Sequence, residues 1–162
     1  MIDYSEVLSR LLTAVLTGCV IGLDRNFHGK PTGMKTLGLV ALGASLTTMA
    51  SMDFSFAHSN YDGSAVSRTI QGIITGIGFL GAGVIVRDRS SERVHGLTTA
   101  ASIWVTAAIG IVCGIGLWQV AGMALALILV LFLVGRPVER MLHRRGFGKS
   151  AARRDETRRG EQ

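Results

Sequence analysis

One glycine-rich stretch has the spacing of a dinucleotide-binding site. Residues 76–83 read GIGFLGAG and fit the pattern G-x-G-x-x-G, a turn whose backbone approaches a pyrophosphate. Such a turn follows a strand and opens a helix, and an acid about 20 residues later binds the ribose hydroxyls. Residues 97–135, where that acid would lie, contain no Asp, Glu, Lys, Arg or His. The pattern lacks its context, so we expect no nucleotide cofactor.

Other residues that could carry chemistry are clustered near the ends of apolar segments. Asp24 and Arg25 follow the first segment, Arg87 follows the third, and Thr98 and Thr99 open the fourth. They could form a functional face for a small ligand or a partner protein, or they could be ordinary helix caps and interface anchors. No cofactor is predicted, and no Cys/His cluster with zinc-ligand spacing or nucleophile–base pair occurs in the sequence. We therefore expect no enzymatic activity, and the sequence leaves any metal site unknown.

Long uncharged segments predict the fold that positions these residues. The chain has 162 residues, 48% of them hydrophobic, and a membrane-spanning helix needs about 20 mostly apolar residues. The segment 97–135 is long enough for two spans, with a break expected within residues 113–119. The sequence predicts an all-α, polytopic membrane protein, a compact bundle of five transmembrane helices at about 7–23, 34–52, 69–86, 97–114 and 118–135.

The distribution of cations predicts the orientation of these spans. With five spans, 15 of the 17 Lys and Arg residues fall on one side, which should be cytoplasmic. The N-terminus should then lie outside and the C-terminus inside. Residues 1–136 form the membrane domain, and residues 137–162 form a basic tail that we expect to be disordered. Contact of this tail with anionic membrane lipids is favoured over nucleic acid, because no aromatic residues interleave its cations.

The glycines have a different role from cofactor binding in this interpretation. Three segments, GCVIG, GIITG and GIVCG, place two glycines four residues apart on one helix face, which allows close helix–helix contact in lipid. The glycines of the third helix either form a tight crossing at the centre of the bundle or loosen the helix and expose its carbonyls to a polar path. The residues predicted to pack helices are Gly18, Gly22, Gly72, Gly76, Gly78, Gly81, Gly83, Gly110 and Gly114.

Four segments of the sequence resemble the MgtC/SapB family of bacterial inner-membrane proteins. They read RLLTAVLTGCVIGLDRN, GKPTGMKTLGLVALGASLTTM, GIGFLGAGVIVR and VHGLTTAASIWVTAAIGIVCGIGLW, and they cover most of residues 10–136. The resemblance implies a five-helix, multi-pass membrane domain in the inner (plasma) membrane. It also implies a role in magnesium homeostasis, adaptation to low magnesium, and survival inside macrophages. Members are thought to act by restraining another integral membrane protein, the F-type ATP synthase.

Two alternatives and two departures accompany this resemblance. The alternative function is a small transporter or channel for magnesium or another ion, and the glycine faces also allow a homodimer. The sequence reads GLDRN at residues 22–26 where the family usually has GLERE, and it has no room for the C-terminal domain of longer members.

Because a carboxylate opposes the dipole at a helix C-terminus, we predict that Asp24 pairs with an arginine across the bundle, namely Arg87.

Overall fold

Five helices and one short hairpin make up the described part of the computed structural model, which covers residues 4–57, 63–87, 94–135 and 137. Predictions for residues 58–62, for the loop 88–93 and for the tail 138–162 lie outside it. The elements are α1 (Tyr4–Phe27), α2 (Met34–Ala57), α3 (Gly63–Val84), β1 (Val86–Arg87), β2 (Val94–His95), α4 (Leu97–Ile115) and α5 (Trp118–Gly135).

The chain divides into two units. The first, residues 1–125, contains α1 to α4 and the beginning of α5. The second starts at Ala126, and its described helical residues continue α5 to Gly135. The candidate site and all helix crossings discussed below lie in the first unit.

Helix α2 forms the centre of the first unit, where it packs against α1, α3 and α4. Its buried residues include the small Ala41, Ala44 and Ser45, and Ala44 packs with Ala107 of α4 in the core. Small side chains let the helix backbones approach closely, which is the main source of packing energy between helices in lipid. Larger buried side chains, such as Ile21 and Leu37, fill the rest of the core.

The connection between α3 and α4 is an antiparallel two-stranded hairpin. Val86 pairs with His95 and Arg87 pairs with Val94. Gly96 follows at a φ of 93°, and a Cβ there would overlap the carbonyl oxygen of Val84, so only glycine fits at this position. The sequence predicted a span at about 69–86; α3 ends at Val84, and Val86 and Arg87 are extended.

The break between α4 and α5 lies within the predicted residues 113–119. Helix α4 ends at Ile115, and Gly116 follows in the left-handed region at a φ of 90°. The amide of Gly116 donates to the carbonyl of Cys113, and the amide of Leu117 donates to that of Val112. These bonds satisfy carbonyls that a helix end leaves without partners.

Large apolar side chains are exposed on the surface of the helices. Leu8, Leu12 and Leu16 form a ridge along α1, and α5 exposes Leu127 and Leu131. A soluble protein rarely presents such continuous apolar surface to water. In the described residues, three helices are long and apolar enough to cross a membrane, namely α1, α4 and α5. The five spans and their orientation stay predictions.

Candidate functional site

A buried arginine connects the end of α1 to the beginning of α4. Arg25 is only 2% exposed although it carries a charge. Its guanidinium donates to the hydroxyl of Thr99 at 2.6 Å and to the hydroxyl of Ser102 at 3.0 Å. Both hydroxyls are buried and lie three residues apart on one face of α4. Since a buried guanidinium needs acceptors for its N–H groups, these two side chains stabilise Arg25 in the interior.

The same guanidinium holds the loop between α1 and α2. It donates to the carbonyl of Pro31 at 2.9 Å and, through Nε, to the carbonyl of Thr32 at 3.3 Å. The loop starts with hydrogen bonds from the amides of His28 and Lys30 to the carbonyl of Arg25. One side chain therefore ties three segments together: the end of α1, the following loop and the first turns of α4.

The electrostatics of this cluster depend on two helix ends. Arg25 lies in the last turn of α1, where a cation offsets the negative end of the helix dipole. Its acceptors lie near the positive end of the α4 dipole, which is unfavourable for a cation. Ser102 lessens this conflict, because its hydroxyl donates to the carbonyl of Thr98 at 2.7 Å and directs its remaining lone pairs toward Arg25.

The structure brings together only part of the predicted functional face. Arg25 and Thr99 are in direct contact, whereas the side chain of Thr98 is exposed. Ser102, which the sequence suggested only as a source of interhelical hydrogen bonds, and the two loop carbonyls were not part of the predicted face. The position of Ser102 could have indicated its role, since a residue three after Thr99 shares its helix face. Loop carbonyls leave no signal in a sequence.

Asp24 lies beside His28, which directly follows α1. Its carboxylate is 3.7 Å from Nδ1 of His28, and that nitrogen is 2.6 Å from the carbonyl oxygen of Asp24. The Asp24 side chain is 16% exposed. Arg87 is placed in β1, but its side chain lies outside the described part of the structure. The pairing of Asp24 with Arg87 stays a prediction.

A second arginine of α1 holds the other end of α4. Arg10 donates to the carbonyl of Gly114 at 2.8 Å and forms an ion pair with Glu6. A Cβ at Gly116 would lie 3.0 Å from the Arg10 guanidinium, so the turn after α4 accommodates this side chain. Because Arg10 contacts the end of α4 and Arg25 its beginning, α1 and α4 are antiparallel. The sequence did not single out Arg10.

The glycines of α1 and α4 lie at close helix crossings, as their spacing predicts. A Cβ at Gly18 would be 2.6 Å from the carbonyl oxygen of Leu37, and one at Gly22 would be 2.6 Å from the amide nitrogen of Met34. On α4, a Cβ at Gly110 would overlap the carbonyl oxygen of Ala41, and one at Gly114 would be 2.7 Å from that of Ser45. All four positions contact the α2 backbone, so any larger side chain would push the helices apart.

On α3, the described residues place one of the predicted packing glycines in contact with a neighbouring helix, and the role of the other four stays a prediction. A Cβ at Gly81 would meet Ala100 at 3.6 Å, which is ordinary van der Waals contact. The other four glycines have no atom within 4 Å of an added Cβ in the described part of the chain, and they are Gly72, Gly76, Gly78 and Gly83. Helix α3 turns Ile70, Ile73, Ile74 and Ile77 toward the core, whereas Gly72, Gly76 and Gly83 lie on the other side of the helix.

No metal centre is present among the residues that the structure describes. They contain no group of three or more His, Cys, Asp and Glu side chains that could hold a metal ion. Several interior hydroxyls at the α1–α2–α4 crossings bond to carbonyls of their own helices, as Thr48 does to Ala44 and Thr106 to Ser102.

An exposed apolar surface, three helices capable of crossing a membrane and glycine-mediated crossings together define an α-helical membrane protein. A family model described as the MgtC family matches residues 11–141, and the chain belongs to that family. The resemblance seen in the sequence is thus confirmed. No solved structure matches the chain significantly.

Three curated relatives illustrate the match. The chain is 51% identical to protein SrpB of Synechococcus elongatus over 127 residues, covering 72% of this chain and 68% of that protein. It is 39% identical to protein MgtC of Salmonella typhimurium over 129 residues, covering 80% of this chain and 52% of that protein. It is 37% identical to protein SapB of Bacillus subtilis over 127 residues, covering 77% and 54%. The chain thus spans between half and two thirds of these relatives.

Proposed function

We propose that this protein is a multi-pass inner-membrane regulator that acts in adaptation to low magnesium or intracellular stress by binding another integral membrane protein. Membership of the family that includes MgtC supports the link to magnesium. The F-type ATP synthase is the partner that the family resemblance favours. In this proposal all five helices cross the membrane, with the N-terminus outside and Arg25 at the cytoplasmic end.

One observation carries the proposal, namely the exposed face of α3. Gly72 and Gly76 have the same spacing as the glycines that α2 fills on α1 and α4, yet no described residue lies within 4 Å of a Cβ added at either position. Phe79 is 82% exposed on this side of the helix, and the nearby amide side chain of Gln71 is exposed as well. An amide facing hydrocarbon is unfavourable unless it is hydrogen-bonded, so a polar group of a second helix should cover it. A transmembrane helix of the partner protein fits this surface.

The interior of the bundle gives less support to the alternative, an ion transporter. At the α1–α4 interface, Arg25 lies at one end and Arg10 at the other, and an arginine disfavours the passage of cations. Between these ends the α2 backbone lies against the glycines of both helices, which leaves little room for a hydrated ion. The described middles of the helices contribute no acidic residue to this interface.

A matched pair of glycine substitutions tests the proposal. Gly76→Leu adds a side chain to open space, so it should leave the amount of protein in the membrane unchanged while blocking the partner and impairing growth in low magnesium. Gly110→Leu is the control for misfolding, because its side chain would collide with Ala41, and it should sharply lower the amount of protein. Normal growth with Gly76→Leu would contradict a role for this face.

Crosslinking identifies what covers the face. A photo-reactive amino acid in place of Phe79 should crosslink to a membrane subunit of the ATP synthase, whereas one in place of Leu12 on the α1 ridge should not. A crosslink between two copies of this chain would instead show a homodimer at α3. Magnesium flux into proteoliposomes above that of empty vesicles would favour the transporter.

A further inference from the structure

The loop between α1 and α2 contains a strained residue. Thr32 has a φ of 63°, and it is the one non-glycine residue with positive φ in the described part of the chain. A β-branched side chain crowds the backbone in this left-handed region, so a threonine adopts it only when the surroundings hold it there. Neighbouring Gly29 also has positive φ, but glycine adopts this conformation without strain.

Arg25 is the group that holds Thr32 in place. Its Nε donates to the carbonyl of Thr32, and its Nη2 donates to the carbonyl of Pro31. A return of Thr32 to negative φ would rotate the adjoining peptide groups and remove these acceptors. The buried guanidinium would then lose hydrogen bonds that it needs in the interior. The strain at Thr32 and the burial of Arg25 therefore depend on each other.

Beyond Lys30 the loop has few backbone hydrogen bonds. His28, Lys30 and Pro31 are exposed, and a Cβ at Gly29 would meet no atom within 4 Å in the described chain. The backbone hydrogen bonds of the loop amides end at Lys30, and the next one is that from Leu37 to Gly33 at the beginning of α2. The guanidinium of Arg25 thus binds Pro31 and Thr32, which lie between these two sets of backbone bonds.

We infer that residues 28–33 form a strained latch with two positions. In the closed position, seen here, Arg25 binds the carbonyls of Pro31 and Thr32 together with the hydroxyls of Thr99 and Ser102. In the open position, Thr32 relaxes to negative φ, the loop leaves Arg25, and the beginning of α4 becomes accessible. The strain lowers the free energy needed for opening, so the latch can switch the face that carries Arg25 and Thr99.

Hydrogen exchange of the full-length protein in lipid nanodiscs tests the latch. Thr32→Gly removes the strain in the closed position, so the hydrogen-bonded amides of residues 28–30 should exchange about fivefold more slowly or slower still. Lys30→Gly is the matched control, because Lys30 is exposed in the same loop and is not at positive φ. In Lys30→Gly the same amides should exchange faster, because glycine at this position only increases the conformational freedom of the opened loop.

A double substitution tests whether Arg25 causes the strain. In Arg25→Gln the loop should already be open, so adding Thr32→Gly should bring no further protection. Equal protection by Thr32→Gly with and without Arg25 would overturn the latch, and so would faster exchange in Thr32→Gly alone. If Arg25→Gln does not accumulate, Arg25→Lys takes its place, because lysine keeps the charge but lacks the planar set of donors. These measurements need no partner, so their failure would leave the proposed function untouched.

Discussion

At the scale of single residues, the site depends on one buried cation and neutral oxygen atoms. Four hydrogen bonds from Arg25 reach hydroxyls of α4 and carbonyls of the α1–α2 loop. Sequence reasoning identified Arg25 and Thr99 because charged and hydroxyl residues near the ends of apolar segments are conspicuous. It could not identify Pro31 and Thr32, because every residue has a carbonyl and only the fold decides which one faces a guanidinium.

Replacing one acceptor of Arg25 should weaken the fold measurably. Thr99→Val keeps the shape of the side chain but removes the hydroxyl that Arg25 binds at 2.6 Å. Hydrogen bonds to charged groups contribute about 1.5–3 kcal/mol, so the protein in detergent should unfold at a clearly lower temperature. Thr98→Val is the control, because the Thr98 side chain is exposed, and it should change the unfolding temperature little. Equal effects of the two substitutions would show that the bond to Arg25 is unimportant.

The carboxylate of Asp24 should matter for function and not for folding. Asp24→Asn keeps the size of the side chain and removes a charge at a helix end where it is electrostatically unfavourable by about 0.3–1 kcal/mol. The variant protein should be inserted and abundant, yet cells that carry it should grow poorly in low magnesium. If Asp24 pairs with Arg87, exchanging the two residues should restore part of the growth. Full growth of cells with Asp24→Asn would show instead that Asp24 is only a solvated residue at the membrane boundary.

At the scale of helices, glycine faces with the same spacing have different roles. Those of α1 and α4 are filled by the α2 backbone, whereas four glycines of α3 are open. The spacing alone predicts that a face permits close contact, but it does not indicate which helix occupies that face. The isoleucines of α3 are larger and more apolar than its glycines, and they occupy the side that packs on the core.

Helix α4 should lose stability at its C-terminal end when Arg10 is replaced. Arg10→Met removes the bond to the carbonyl of Gly114 and the cation that offsets the dipole at the end of α4. We expect a loss of about 1 kcal/mol, seen as a lower unfolding temperature and faster exchange at residues 112–116. Arg68→Met is the comparison, because Arg68 is exposed and bonds to Ser64 of its own helix. Unchanged exchange at the end of α4 in Arg10→Met would contradict the capping role.

At the scale of the whole molecule, topology is the main open prediction. Among the residues that the structure describes, three helices qualify as spans by length and composition, while the distribution of cations predicts five. Helix α2 packs against α1, α3 and α4, and it buries Ala41, Ala44, Ser45 and Thr48. A helix surrounded by protein needs less apolar surface than one in contact with lipid.

Cysteine labelling in intact cells tests the predicted orientation. Lys30 and Gln119 are both exposed, the first in the α1–α2 loop and the second at the start of α5. Gln119→Cys should react with an impermeant thiol reagent from outside, and Lys30→Cys should react only after the membrane is opened. The unmodified chain gives the background, because its Cys113 is buried and its Cys19 half-buried. Reaction of Lys30→Cys in intact cells would exclude the five-span model.

The sequence alone determined the helical membrane class, the approximate helices and the family, because hydropathy and residue spacing along one segment are local properties. The tertiary structure decided which glycines meet a neighbour and which acceptors Arg25 finds. Ser102 lies 77 positions from Arg25 in the chain, and Gly114 lies 104 positions from Arg10. Contacts between such distant residues arise only when helices pack, since the packing sets which faces and carbonyls come within hydrogen-bonding distance.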